Sequence, residues 1–191
     1  MKIRIIPLPP WSESFGQIRI RAAYLIEVHS PKGKAWISEY GSDISDPYSC
    51  PQRVVAISDE IVELPLPVYF ELSWDRELTV PTELKIKFEF STECDESGYW
   101  RVANSSSSPT KEIVMSGSES SDDTTFTVMK SDKGYYKFVF GSADKPTDIG
   151  LDEIRSGVWR LILSNNSDFG VSFAPYSLHA RKGRRGQFEY L

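Results

Sequence analysis

The side chains able to do chemistry are few in this sequence, and their spacing says what that chemistry can be. It has two histidines, His29 in EVHSPKGK and His179 near the C-terminus. A histidine-assisted nucleophile needs a Ser or Cys and an orienting acid held around the ring. The local signatures that announce such sites, or phosphate and dinucleotide cradles, are absent: no GxSxG, HExxH, GxGxxG or P-loop run occurs. Acidic pairs such as Asp59-Glu60 and Asp122-Asp123 stand in turn-rich stretches and read as solvated surface. Nothing singles out a glycosidase-type pair of carboxylates. The expectation is a protein that is not an enzyme, with no catalytic residue and no cofactor.

The two cysteines, Cys50 and Cys94, have no CxxC spacing, and two histidines add too little for a zinc site. No metal site is expected. The cysteines either form one disulfide, in an oxidising compartment, or stay as two buried thiols. Closing the 45 residues from Cys50 to Cys94 would stabilise the fold by about 4 kcal/mol on the chain-entropy model. Two triplets, Asn104-Ser105-Ser106 and Asn165-Asn166-Ser167, are acceptor sequences for N-glycosylation, and both fall in predicted loops. They agree with a secretory route.

A third kind of chemistry is recognition. The stretch PVYFELSWDREL, Pro67 to Leu78, begins as a strand and then breaks into Ser73-Trp74-Asp75-Arg76-Glu77. A large aromatic among polar neighbours, where the chain leaves a sheet, is either folded back into the core or displayed to a partner. Trp36 is a second candidate anchor, since Trp is favoured at binding hot spots. Trp100 and Trp159 lie in alternating strands and are expected in the core.

The elements that must position these residues read as short strands from end to end. LKIKFEF puts Leu84, Ile86, Phe88 and Phe90 on one face and Lys85, Lys87 and Glu89 on the other, a period of two. FTVMK and YYKFVF flank the turn SDKG, and WRLIL and GVSFAPY flank SNNSDF. IRIRAAYLIEV (18–28), KAWISEY (34–40), QRVVAI (52–57), YWRV (99–102) and KEIVM (111–115) complete the set. No segment shows a sustained helical period, and DEIRSG (152–157) could hold one turn at most. Ten to twelve short strands predict an all-β sandwich or barrel. The serine-rich runs 104–111 and 116–123 read as long loops, so a single domain over 1–191 is expected.

Bulk properties narrow the function. The 191 residues are 40% hydrophobic and 13% aromatic, and a domain of this length buries roughly 70% of the surface its unfolded chain exposes. A net charge of −5 argues against a nucleic-acid partner, which needs clustered Lys and Arg. No run approaches the length of a membrane-spanning helix, so no membrane partner is expected. MKIRIIPLPPW does not read as a secretory signal; Met1 is either the start placed on a mature chain or a cytosolic start. The final HARKGRRGQFEYL carries Arg181, Lys182, Arg184 and Arg185. It reads as a flexible basic tail over 177–191, with a basic contact segment as the other reading.

Taken in order, several of these segments resemble the plant Kunitz inhibitors of the soybean trypsin inhibitor type. AAYLI (22–26) is similar to the family's first-strand aromatic segment, and CPQRVVA (50–56) to its Cys-Pro-x-x-Val-Val motif. LKIKF before Cys94 followed by YWRV, then FTVMKSDKGYYKFVF, DIGL (148–151), WRLILSNN and GVSF, resemble the later strands. The resemblance covers roughly residues 16 to 176. It implies a β-trefoil of about twelve strands in three pseudo-repeats and a disulfide joining Cys50 to Cys94. The family's second disulfide has no counterpart, with Gly141 where a cysteine is usual.

The resemblance also implies a monomeric protease inhibitor, acting on a serine protease first, with cysteine and aspartic proteases as the other classes, in a secreted or vacuolar setting (cytoplasmic if Met1 is the native start). Its inhibitory loop would be Ser73, Trp74, Asp75 and Arg76. Counting at the family's spacing puts the primary residue at Trp74; Arg76 takes that place only if the loop is offset by two. Trp74 suits an apolar specificity pocket rather than trypsin's acidic one. An asparagine that the family uses near its N-terminus to hold the loop is missing, since the first Asn is Asn104; Ser12, Ser14 and Gln17 are the substitutes at hand. The alternative function is a non-inhibitory storage, stress or ligand-binding protein of the same fold. A porphyrin-like seat after the Cys-Pro pair is opposed by Gln52 and Arg53.

Overall fold

Alternation of apolar and polar residues is what forms the sheet. The computed structural model describes residues 22–43, 45–46, 48–61, 65–72, 80–89, 94, 97–103, 110–115, 122–165, 167 and 169–176. These fold into twelve strands: β1 Tyr24–Ser30, β2 Gly33–Gly41, β3 Gln52–Ser58, β4 Val68–Glu71, β5 Thr82–Phe88, β6 Trp100–Ala103, β7 Glu112–Met115, β8 Phe126–Lys130, β9 Tyr136–Phe140, β10 Thr147–Arg155, β11 Val158–Ser164 and β12 Gly170–Pro175. The only helical element among the described residues is a 3-10 turn at Asp122–Thr124, inside a stretch expected to be loop. The protein is all-β, as its sequence predicts.

All twelve strands belong to one sheet. Following the antiparallel ladders, β1 pairs with β12, β12 with β9, β9 with β8, β8 with β5, β5 with β4, and β4 returns to β1 through Tyr24 and Val68. Six strands therefore close into a ring, which leaves them without a free edge to pair with another chain. The other six form the hairpins β2–β3, β6–β7 and β10–β11, and these touch one another through β3–β7, β3–β11 and β7–β11.

The interior is filled by the residues that the period of two turns inward. In β5, Leu84, Ile86 and Phe88 are buried, while Lys85 and Lys87 face outward. Trp100 is fully buried, its ring centroid 5.8 Å from Phe88, 6.2 Å from Phe126 and 6.0 Å from Phe138. Phe70 packs 5.4 Å from Phe173 and 5.9 Å from Tyr24. Edge-on and offset pairs of this kind add to the burial each ring brings. Trp159 is also buried, at 7% exposure, so both tryptophans expected in the core are there.

DEIRSG, given one helical turn at most by its sequence, holds none: β10 runs through it to Arg155, with an irregular register between Glu153 and Arg155, and the chain reverses at Gly157. Gly157 has φ of 76°, a left-handed conformation that glycine adopts at no steric cost. Pairing with β11 satisfies the backbone of 152–155 better than one isolated turn could. Of the stretch 18–28 read as the first strand, β1 takes in Tyr24 onward and Ala22 and Ala23 precede it, while residues 18–21 lie outside the described residues.

Candidate inhibitory loop and its surroundings

Strands β4 and β5 frame the segment expected to make contact with a protease. Their register pairs Val68 with Phe88, Tyr69 with Lys87, Phe70 with Ile86 and Glu71 with Lys85. Val68 and Phe70 point inward and are buried, while Tyr69 and Glu71 point outward. The side chains at the two ends of the frame, Leu72 and Val80, pack against the core. Outside the sheet, Tyr99 donates its hydroxyl to Glu71 Oε2 at 2.7 Å, Tyr69 donates to Glu89 Oε1 at 3.1 Å, and Lys87 Nζ lies 4.9 Å from the centre of the Tyr99 ring. Burial, then the hydrogen bond to Glu89, pushes the Tyr69 phenol upward from its ordinary pKa. Ser73, Trp74, Asp75 and Arg76 themselves lie outside the described residues.

The disulfide is present. Cys50 and Cys94 are bonded, their Cα atoms 5.7 Å apart, joining the approach to β3 with the chain that follows β5. The approach to β3 is tied down independently. Ser42 Oγ donates to the Cys50 carbonyl at 2.9 Å, Ser49 Oγ donates to the Asp46 carbonyl at 2.8 Å, and the Tyr48 amide donates to Asp46 Oδ1 at 3.0 Å. Hydrogen bonds from Ser45, side chain first and then backbone, hold the Asp43 carboxyl below its usual pKa. Gly41 is required here, because a Cβ in its place would collide with the Asp46 carbonyl. Of the residues after the Cys-Pro pair, Gln52 is buried and Arg53 is engaged in an ion pair with Glu112.

A second group of reactive side chains was visible in the sequence only as an isolated histidine. His29 and Glu27 share one face of β1, and Ser172 stands opposite Glu27 on β12. His29 Nε2 lies 2.8 Å from Ser172 Oγ and 3.5 Å from Glu27 Oε2, and Ser172 Oγ donates to that same Glu27 oxygen at 3.3 Å. The imidazole stacks on Tyr135 with centroids 4.3 Å apart. Serine, histidine and glutamate thus converge, but hydroxyl and carboxylate both sit on Nε2. A nucleophile relay needs them on opposite ring nitrogens, so that the acid orients the base. The cluster binds β1, β12 and the turn before β9 together instead. Burial lowers the His29 pKa from its ordinary value, with Lys34 adding to the effect and Glu27 opposing it. A shallow cleft of about 420 Å³ opens beside it, lined in part by His29, Lys34, Lys133 and Tyr135.

The remaining sequence expectations divide. Trp36 lies partly buried in β2, opposite Glu27 and Ile57, so it is no freely displayed anchor. Asn165 is exposed on the turn between β11 and β12; Asn104, His179 and the basic tail 177–191 lie outside the described residues. No cluster of three or more His, Cys, Asp or Glu able to hold a metal occurs among the described residues. No described helix is long and apolar enough to cross a membrane.

Comparison with known proteins agrees with this framework. The chain is 37% identical over 140 residues to Kunitz trypsin inhibitor 7 of Arabidopsis thaliana, covering 71% of this chain and 68% of that relative. Among solved structures, a Kunitz type trypsin inhibitor from Cicer arietinum superposes with a TM-score of 0.69 at 24% identity, over 84% of this chain and 94% of its own. A water-soluble chlorophyll protein from Brassica oleracea var. Botrytis superposes with a TM-score of 0.67 at 21% identity, over the same shares. At those identities the likeness speaks for the fold alone. The family model described as trypsin and protease inhibitor, the legume Kunitz family, matches residues 16–174. With the closed all-β sheet and the Cys50–Cys94 bond in place, the chain belongs to the Kunitz family of trypsin and protease inhibitors.

Proposed function

We propose that this protein inhibits a protease, a serine protease before a cysteine or aspartic one, by presenting Ser73, Trp74, Asp75 and Arg76 as a substrate-like loop. The observation that carries the proposal is the frame. The β4–β5 ladder is anchored by buried Val68 and Phe70 on one strand and Ile86 and Phe88 on the other, with Leu72 and Val80 packed on the core at the loop's two ends. A loop sprung from so rigid a frame loses little conformational freedom on binding, and that saving strengthens association. Trp74 would fill an apolar, chymotrypsin-like specificity pocket, with Asp75 on the leaving side of the bond. The same proposal takes the molecule to be a monomeric β-trefoil in three pseudo-repeats, a single domain over residues 1–191 with its core at 16–176, secreted or vacuolar, and without a cofactor.

Trp74-Asp75, and the lack of an asparagine before Asn104, favour a second reading, in which the fold serves storage, stress or ligand binding without inhibition. One panel separates the two. The purified protein is assayed against trypsin, chymotrypsin, subtilisin, papain and pepsin. Tight inhibition of chymotrypsin or subtilisin with weak action on trypsin supports the loop reading. No inhibition across the panel supports the second.

A further inference from the structure

We infer that Asn165 is an N-glycosylation site, occupied when the chain is made in the secretory pathway, and that its glycan stands at the end of the barrel away from the β4–β5 loop. Three independent features carry this. The triplet Asn165-Asn166-Ser167 is an acceptor sequence. It lies on the turn where the chain leaves β11 at Ser164 and enters β12 at Gly170, with Asn165 exposed while buried Phe169 anchors the far side of the turn. A glycan on Asn165 therefore projects into solvent and displaces nothing from the core. The Cys50–Cys94 bond, finally, is of a kind that forms and persists in the oxidising compartment where glycan transfer takes place.

The chemistry needs a lipid-diphosphate-linked oligosaccharide as donor. The Asn165 side-chain amide nitrogen attacks the first sugar carbon. The new N–C bond forms as the bond from that carbon to the phosphate oxygen breaks. The lipid diphosphate leaves with the electron pair, and the amide proton is lost to base. Neither oxidation nor reduction is involved.

Strand directions give the location. At one end of β1, Tyr24 pairs with Val68 of β4 and with Pro175 at the end of β12. Running antiparallel to β1, β4 passes that end and exits at Glu71, so the loop frame is there. At the other end of β1, His29 pairs with Gly170, the first residue of β12 and the close of the Asn165 turn. Tyr24 and His29 are five residues apart, about 17 Å along an extended strand. A glycan on this turn leaves the β4–β5 end open to a docked protease.

The test uses the full chain secreted from yeast or plant cells behind a signal sequence. Trypsin digestion puts Asn165 in the peptide 161–181 and Asn104 in the peptide 102–111, so each is read separately by mass spectrometry before and after peptide N-glycosidase. The expected result is a glycan mass on 161–181 that the glycosidase removes, leaving Asp in place of Asn165. Asn165→Gln abolishes it, and Ser167→Thr, which keeps the hydroxyl, preserves or raises occupancy. Secreted, disulfide-bonded protein whose 161–181 peptide runs at its unmodified mass overturns the inference, as does a glycan confined to 102–111. Occupancy is read by mass on the reduced, denatured and digested chain rather than from inhibition of a protease, so it stands apart from the inhibitory function. If that function holds as well, glycosylated protein and Asn165→Gln inhibit within twofold of each other.

Discussion

Replacing Glu112 by Gln tests whether the three hairpins are locked by charge. Glu112 Oε2 accepts from Arg53 Nε at 2.9 Å and from Arg160 Nη1 at 3.3 Å, and Arg160 reaches on to Asp152 Oδ2 at 2.7 Å. Arg53 is on β3, Glu112 on β7, Asp152 on β10 and Arg160 on β11, so one carboxylate serves strands from all three hairpins. The Glu112 and Arg53 side chains are only 15% and 14% exposed. A pair so placed lies between exposed ion pairs, worth about 0–1 kcal/mol, and fully buried ones, whose rupture costs about 3–5 kcal/mol. Gln keeps the shape and one acceptor oxygen, so what is lost is the charge assistance of two hydrogen bonds. At about 1 kcal/mol each, the difference between charged and neutral bonds, the expected cost is about 2 kcal/mol. For a domain of this size that lowers the melting temperature by roughly 4–8 °C. The assay is urea denaturation of Glu112→Gln, Arg53→Met and the double variant, at low salt and in 1 M NaCl. The double variant should show a coupling of at least 1 kcal/mol, on the order expected for contacting residues, largely retained in salt because the pair is shielded from solvent. A cost under about 0.5 kcal/mol, or a coupling that disappears in salt, means that the cluster behaves as solvated surface and that the reasoning fails.

Cys50→Ser with Cys94→Ser should lower stability by up to about 4 kcal/mol and leave the sheet folded by circular dichroism; a chain that no longer folds would contradict a core that is self-sufficient. Unreduced protein treated with an alkylating agent should gain no label on either cysteine. His29 has a depressed pKa in the folded protein, so the unfolded chain takes up the proton more readily. Its contribution is complete above the unfolded value of about 6.5 and is lost as pH falls below it, levelling off beneath the folded pKa. His29→Asn should flatten the slope of stability between pH 7.5 and 5.5; an unchanged slope sinks that assignment. Trp74→Ala should abolish chymotrypsin-type inhibition with little change in melting temperature, and Trp74→Arg should create or improve trypsin inhibition, limited by Asp75. If Trp74→Ala instead costs several kcal/mol and leaves inhibition intact, Trp74 belongs to the core.

Local pattern was enough for much of this molecule. The alternation in LKIKF makes one face of β5 apolar whatever its neighbours are, and the structure buries Leu84, Ile86 and Phe88 accordingly. SDKG reverses the chain between β8 and β9 because Gly134 supplies a φ of 82° that other residues resist. The bond between Cys50 and Cys94 was legible only through the order of motifs around them, since two cysteines by themselves leave pairing open. Other features were beyond any local reading. Whether DEIR is a turn of helix or a strand depends on β11, which faces it from Asp152–Arg160 to Arg155–Val158 with Ile154 passed over at the irregularity. His29 and Ser172 are 143 residues apart in the chain, and Arg53 and Glu112 are 59 apart. Such pairs meet only because strands distant in the chain, β1 with β12 and β3 with β7, pair side by side in one sheet. The period of two states which face of a strand is apolar, but not which strand lies beside it. Neighbours are chosen by ring closure and by the common core, and these are properties of the whole chain at once.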